Sequence, residues 1–336
     1  MPAQKPDAQE ICDSIDCLRE ELWLGDSRKW WPKYLVHFTD IKNAIQIISE
    51  GKLLSRSALG SRGGIPLDVA NQEIIGSTRS AVTEHVRLYF KPRPPMQYQI
   101  EGFRPSRTDK HCPVPVVFLF DSKAVLSLAN SKFSAGNLAS SNATLMSSAD
   151  DFIQLPFKDI YHDQAFHPNM DSDDRQKIIF HRHAEVVVPD QLPLDGFLRN
   201  IWCRSKAEKE TLVHHLSYKA WKKYKDKIGA NPKYPLFYER WTFIKDVQLS
   251  KEKIVVKFHP AVSASDRGPF HFRLNISEAG KPVHKKRYFV EERNYSCVEP
   301  VIVNVDDIPY KEYKVQCLID GKLAYESAYY DFDDIF

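Results

Sequence analysis

The sequence has few of the features that would take it out of the ordinary globular class. It has six cysteines in 336 residues, and Cys12, Cys17, Cys112, Cys203, Cys297 and Cys317 lie far apart with no CxxC pair. No Cys/His spacing matches a zinc site, which argues against a metal-built fold. The thiols fit best as small buried hydrophobes in a reducing compartment. No apolar run approaches the roughly 20 residues needed to span a bilayer. The first residues show no basic start followed by an apolar stretch; DAQEICDSIDCLREELW reads as an acidic amphipathic helix. A cytoplasmic protein with no membrane partner is expected. An excess of one charge is missing too, since 47 Lys and Arg face 44 Asp and Glu. Bulk electrostatics therefore does not mark a nucleic-acid binder, and any polyanion site has to be a local groove. The 13 glycines and 21 prolines are scattered, and no internal repeat is visible.

What is present suffices for a core: 43% of residues are hydrophobic and 27% charged. The length suggests two domains. Residues 1–30 read as one helix and a short connector. YLVHFTD (34–40) is a short apolar strand, and IKNAIQIISE after it has a helical period that stops at Gly51. VRLYF (86–90), PVVFLF (115–120) and KIIFHRHAEVVV (177–188) read as strands, the last because it is β-branched and aromatic. A polar loop, FSAGNLASSNATLMSSADDF, lies between the second and third; loops of that length are usually functional or disordered. Residues 206–227 form one basic helix with aromatics interleaved, and GANPKYP (229–235) then breaks the pattern. About seven short β runs follow, with an Asp320–Gly321 hairpin signal, as in a small β-sandwich. The expected class is α+β: a mixed α/β domain over 31–228, then a β-sandwich-like domain over 236–336.

Three clusters could do chemistry. His37-Phe38-Thr39 ends a strand, a place from which both polar side chains could reach one ligand, although a capping Thr and a core His is the plainer alternative. LYFKPRPPMQY (88–98) presents Arg93, Tyr89 and Tyr98 on a stiff extended segment, or is simply a proline-rich loop. HRHAEVVVPD (181–190) sets Glu185 among β-branched residues, where an unpaired carboxylate is costly; such groups are catalytic or salt-bridged.

In order and spacing, six stretches resemble the DarT family of single-stranded DNA ADP-ribosyltransferases. They are YLVHFTDIKNAIQIISEGKLLS, NQEIIGSTR, VRLYFKPRPPMQY, VPVVFLF, FSAGNLAS and RQKIIFHRHAEVVVPDQLP, running from about Tyr34 to His215. The resemblance implies an ADP-ribosyltransferase fold for the first domain, NAD⁺ as co-substrate without a metal, and ADP-ribose transfer to a base in single-stranded DNA with release of nicotinamide. It implies Glu185 as the catalytic carboxylate. His37 and Thr39 are implied to contact the ribose and nicotinamide region. Arg79, within GSTRS, is implied as an essential arginine serving catalysis and NAD⁺ binding. Arg93 serves the cofactor or a DNA phosphate, and Asn137 of SAGNLAS falls in the loop that recognises the target base. Tyr89, Arg93 and Tyr98 are candidate strand contacts at the rim. The family typically acts as a toxin or anti-phage effector beside an antidote macrodomain, an implied partner. The sequence departs from the family pattern at His181, Arg182 and His183, where paired arginines and a Met usually stand, and at Gln191-Leu192-Pro193, which lacks the usual Trp-containing turn.

The chemistry suits these residue types. Positive charge develops on the sugar as the glycosidic bond breaks, so a nearby carboxylate stabilises it and can take the proton of the incoming base. An arginine fork pairs with pyrophosphate or DNA phosphate oxygens. Transfer to RNA or protein, and a catalytically inactive binding module, are the competing readings.

Overall fold

The computed structural model describes residues 2–61, 80–105, 111–281 and 289–331. Its first unit is built on a seven-stranded sheet. The strands in chain order are β1 (Tyr34–Asp40), β2 (Lys52–Leu54), β3 (His85–Tyr89), β4 (Pro115–Asp121), β5 (Lys132–Ser134), β6 (Glu185–Pro189), β7 (Gln191–Pro193), β8 (Leu198–Cys203) and β9 (Ile228–Ala230). Seven of them form the sheet in the order β5-β6-β3-β1-β4-β8-β9, and β2 with β7 makes a separate ribbon. All pairings are antiparallel except β8 with β9.

Strand alternation explains which side chains go inside. Leu35, Val86, Leu88, Phe118, Phe120, Val186 and Val188 bury one face in the main core. The helix Ala8–Glu20 adds Ile11, Ile15 and Leu18 to that core, so the N-terminal segment is structural and not a loose appendage. The opposite face carries a smaller cluster, in which Val36, Val117 and Leu119 are covered by Leu236 and Phe237. The helix after β1, Ile41–Glu50, starts where the Asp40 carboxylate accepts from the Lys42 amide at 3.0 Å and ends at Gly51 with φ 71°.

Two expectations from the sequence are corrected. Residues 177–188 are not one strand: Ser172–His181 is a helix, and only Glu185–Pro189 is β. Asp171 caps that helix by accepting from the Asp173 amide at 2.7 Å, and Asp173 and Asp174 suit its positive end. Cap and tertiary packing of the buried Ile178 outweigh the local β propensity. Residues 206–227 are likewise two helices, Lys206–His214 and Tyr218–Tyr224, because Ser217 starts a new cap on the Ala220 amide.

The C-terminal β runs form strands where they are described, the fourth (HKKRYFVE) lying mostly outside the described residues: β10 (Phe243–Leu249), β11 (Lys253–His259), β12 (Phe270–Glu278), β13 (Phe289–Tyr295), β14 (Val301–Asn304), β15 (Tyr313–Ile319) and β16 (Lys322–Tyr329). They form two antiparallel sheets, β10-β11-β14 and β13-β12-β15-β16, whose inner faces meet through contacts such as Phe258 on Phe272. Asp320 and Gly321 both have positive φ, as the two-residue turn between β15 and β16 requires.

The two units share one core. The helix Lys206–His214 packs on β10 and β16, Ser205 Oγ donates to the Ile244 carbonyl at 2.7 Å, and the Tyr325 hydroxyl donates to Glu210 at 3.1 Å. Beneath this seam lies a fully buried ionic cluster. Arg204 clamps Glu208 and approaches Glu101 at 3.5 Å, while Glu101 accepts from the Tyr238 and Glu239 amides at 3.1 and 3.0 Å. Burial pushes the Glu208 carboxyl up to about 7 against the pull of Arg204. Removing the guanidinium leaves two carboxylates without a counter-charge. Arg204→Ala is expected to lower unfolding free energy by roughly 3–5 kcal/mol in a denaturant titration; a loss below about 1 kcal/mol would show that the cluster is dispensable.

Candidate active site

Glu185 is the first residue of β6 and is fully buried. Its strand neighbours are Tyr89 on β3 and Ser134 on β5. Arg87, two residues before Tyr89, shares their face. It donates from Nε to Glu185 Oε2 at 3.0 Å and from Nη2 to Oε1. This fork-to-fork pairing fixes the carboxylate plane as well as its charge. Burial pushes the Glu185 carboxyl above the usual range, with Arg87 and a bond from the Leu138 amide pulling the other way. Burial also works against the Arg87 charge, but Glu185 more than restores it, so the guanidinium stays protonated. Tyr89 is raised by burial and by the Glu185 charge, and its phenol is therefore neutral.

The polar loop after β5 closes over this pair. Arg87 Nη2 also reaches Asn137 Oδ1 at 3.4 Å, and that oxygen accepts from the Ala139 amide at 3.0 Å in a local turn. His181 donates from Nδ1 to the Ala135 carbonyl at 2.7 Å, so one of the residues that departs from the family pattern anchors the loop. Gly136 is needed for packing: a Cβ there would lie 2.3 Å from the Phe180 ring.

β1 and β3 register only through Val36 and Tyr89, so the sheet parts between them. His37 stands at this parting, half-buried, with Nδ1 3.2 Å from the Arg87 carbonyl. A carbonyl only accepts, so Nδ1 carries the hydrogen. Burial holds the ring pKa below its ordinary value, and the neutral ring keeps a lone pair on Nε2. Thr39 does not sit at a frayed strand end, because β1 runs on through Asp40. The two residues, two apart, share a face, and Thr39 Oγ1 accepts from Asn43 at 3.0 Å.

Of the residues picked out in the sequence, Glu185, Tyr89 and Asn137 gather around the Arg87 side chain, whereas His37, on the sheet face of Leu35, meets Arg87 only at its carbonyl. Tyr89 is half-buried and stacks on Phe38, with centroids 6.1 Å apart. Arg93, with φ 53°, pairs with Asp163 and lies 5.7 Å over the Tyr238 ring. Tyr98, 41% exposed, packs edge-on against Tyr238 and Trp241. Arg79 lies outside the described residues. Sequence reading missed Arg87 and the Leu138 amide. Alternation along VRLYF was the available signal, since it puts Arg87 on the face of Tyr89.

A buried carboxylate held by a forked guanidinium beside a parting of the sheet is an arrangement that a glycosyl transfer could use. Residues 36–234, more than half of the chain, match the family model described as "ssDNA thymidine ADP-ribosyltransferase, DarT". The chain belongs to the DarT family: it is an NAD⁺-dependent ADP-ribosyltransferase that modifies a base of single-stranded DNA. Similar solved structures include Thermus sp. 2.9 DarT in complex with ADP-ribosylated ssDNA, at 19% identity and TM-score 0.47, covering 62% of this chain and 97% of that one. The same protein in complex with NAD⁺ matches at 18% identity and TM-score 0.45, covering 62% and 98%. Thermosipho africanus DarTG in complex with ADP-ribose matches at 16% identity and TM-score 0.43, covering 65% and 53%. No curated protein matches the chain in sequence. No helix among the described residues is long and apolar enough to cross a membrane.

Because Gly136 carries the loop over Phe180, Gly136→Ala is expected to lower transfer to single-stranded DNA by roughly tenfold or more through misplacement of Asn137 and Leu138. Unaltered turnover in a folded variant would show that the loop does not depend on this contact.

Proposed function

We propose that Glu185 is the carboxylate that makes the transfer possible. In this reading the NAD⁺ ribose lies at the parting of β1 and β3. His37 Nε2 accepts from a ribose hydroxyl, and Thr39, held by Asn43, borders the nicotinamide side. As the bond between nicotinamide and ribose C1′ breaks, the ionised Glu185 faces the developing positive charge. A nitrogen of the target base then bonds to C1′ and passes its proton to Glu185, while nicotinamide leaves with the bonding pair. Thymine is the acceptor that the family description favours, and the tie of the Asn137 side chain to the group that holds Glu185 supports Asn137 as the residue that meets the base.

Arg87 serves as the positioning residue. Burial works against the charge on Glu185, and a protonated carboxyl neither stabilises a cation nor accepts a proton. The observation that carries this reading is the forked bond from Arg87 to both Glu185 oxygens. Arg79 and Arg93 are proposed to meet phosphate oxygens of the cofactor or the strand. A toxin or anti-phage role, with a macrodomain protein that reverses the modification, is proposed from the family resemblance.

The test is transfer of label from NAD⁺ to single-stranded DNA, duplex DNA, RNA and bulk protein, with Glu185→Gln alongside. Label should appear on single-stranded DNA and fall at least about 10³-fold in the variant. Wild-type rates in Glu185→Gln would sink the assignment of Glu185, and label on RNA or protein instead would overturn the acceptor.

A further inference from the structure

The basic run 206–227 divides into two helices of different character. Lys206–His214 carries its own carboxylates, with Glu208 clamped to Arg204 and Glu210 near Lys206 at 3.7 Å. Tyr218–Tyr224 has none. Between Ser217 and Ala230 five lysines stand against a single acidic residue, Asp226. Lys223 is neutralised from outside the segment by Asp195 at 2.7 Å, and Lys227 turns to the Leu198 carbonyl. Lys219, Lys222 and Lys225 form no ion pair among the described residues.

Helical spacing sorts the second helix into two faces. Ala220 and Tyr224 are buried in the main core. On the other side Tyr218, Trp221, Lys222 and Lys225, spaced i, i+3, i+4 and i+7, make one stripe. Tyr218 is 71% exposed, Trp221 is half-buried, and both lysines are exposed. The two rings lie 5.8 Å apart. The Lys222 ammonium is 5.9 Å from the centre of the Tyr218 ring, and the Lys225 ammonium is 5.4 Å from that of Trp221.

A helix face that serves only solubility mixes both signs of charge and exposes few aromatic rings. This one holds cations and rings alone. The combination suits one class of ligand, a chain of phosphodiesters whose bases are free to stack. An acidic peptide would satisfy the lysines but offer the rings nothing flat to stack on. The stripe is also remote from the reaction. Its helix leads into β9, at the opposite end of the sheet order from β5 and β6. Five strand spacings, roughly 24 Å, separate β9 from the strand that carries Glu185.

We infer that the stripe of Tyr218, Trp221, Lys222 and Lys225 is a second contact for single-stranded DNA, holding nucleotides several positions away from the base that reacts. The rings stack on bases whatever their sequence, and the lysines replace counterions on the phosphates. The surface therefore retains the strand without selecting the target base. The inference rests on the DNA-transferase reading above.

The test uses the full chain and a fluorescein-labelled oligothymidylate of about 25 nucleotides, with anisotropy read across a salt series in the absence of NAD⁺. Tyr218→Ala is expected to weaken binding at least about fivefold with the salt slope unchanged, and Tyr218→Trp to restore it. The double variant Lys222→Gln/Lys225→Gln should weaken binding and make the slope of log affinity against log salt shallower by about 1.4. In label transfer from NAD⁺, both changes should raise the strand concentration for half-maximal rate and leave the rate at saturating strand as in the wild type. Unchanged affinity and slope in the folded variants overturn the surface, as does a fall in the saturated rate with affinity unchanged. If the lysine variant loses a polyglutamate peptide as strongly as the strand, and Tyr218→Ala alters neither, the surface suits an acidic protein and the strand is overturned. A wild-type protein that binds the strand with these dependences yet transfers no label would contradict the catalytic proposal and leave the surface standing.

Discussion

The pairing of Arg87 with Glu185 is the constraint around which the first unit is arranged. A carboxylate with no exposed surface is costly to ionise, and a forked guanidinium a strand away is a means of offsetting that cost. That means works only while β3 and β6 hold their register, with Tyr89 opposite Glu185 and Arg87 opposite Val187. The register in turn follows from Val86, Leu88, Val186 and Val188 burying the other face; a one-residue slip would send Arg87 into the core. The loop after β5 uses the same pair as its floor, through Asn137 and the Leu138 amide. Hydrophobic patterning thus fixes the charge pairing, and the charge pairing fixes the site.

The C-terminal unit is tied to this site more closely than a tethered module would be. The family model ends at residue 234, yet Leu236 and Phe237 cover the sheet face that carries Val36. Tyr238 supports Arg93, and its amide is held by Glu101 inside the Arg204 cluster. One continuous core passes from the large sheet through the helix Lys206–His214 into the sandwich. A few packed residues therefore connect the seam to the edge of the candidate site.

Much of the fold was legible in the sequence where one physical signal dominated. The seven C-terminal strands and the Asp320–Gly321 turn follow from alternation and turn chemistry, and β1 with its helix follows from a change of period and a glycine stop. The helix Ser172–His181 reads as strand because its β-branched and aromatic residues outweigh its cap, and the break at Ser217 is hidden inside a lysine-rich run. Glu185 was legible as a carboxylate out of place in a strand. Its partner Arg87 was not picked out, since an arginine in a strand is unremarkable until its register is known. The contribution of Tyr238 was invisible for a different reason: it arises from contacts between segments about 140 residues apart, and no local pattern encodes them.

The most direct measurement is the pH dependence of single-turnover transfer for the wild type and for Arg87→Met. In the proposed mechanism Glu185 acts ionised, with the Arg87 guanidinium opposing the upward push of burial on the pKa of its carboxyl. Loss of the guanidinium should raise that pKa, move the acid limb of the profile to higher pH and lower the rate near neutrality, with partial recovery as the pH rises. An acid limb that stays where it is in the wild type, in a folded Arg87→Met protein, would contradict the claim that this pairing sets the charge of the catalytic carboxylate.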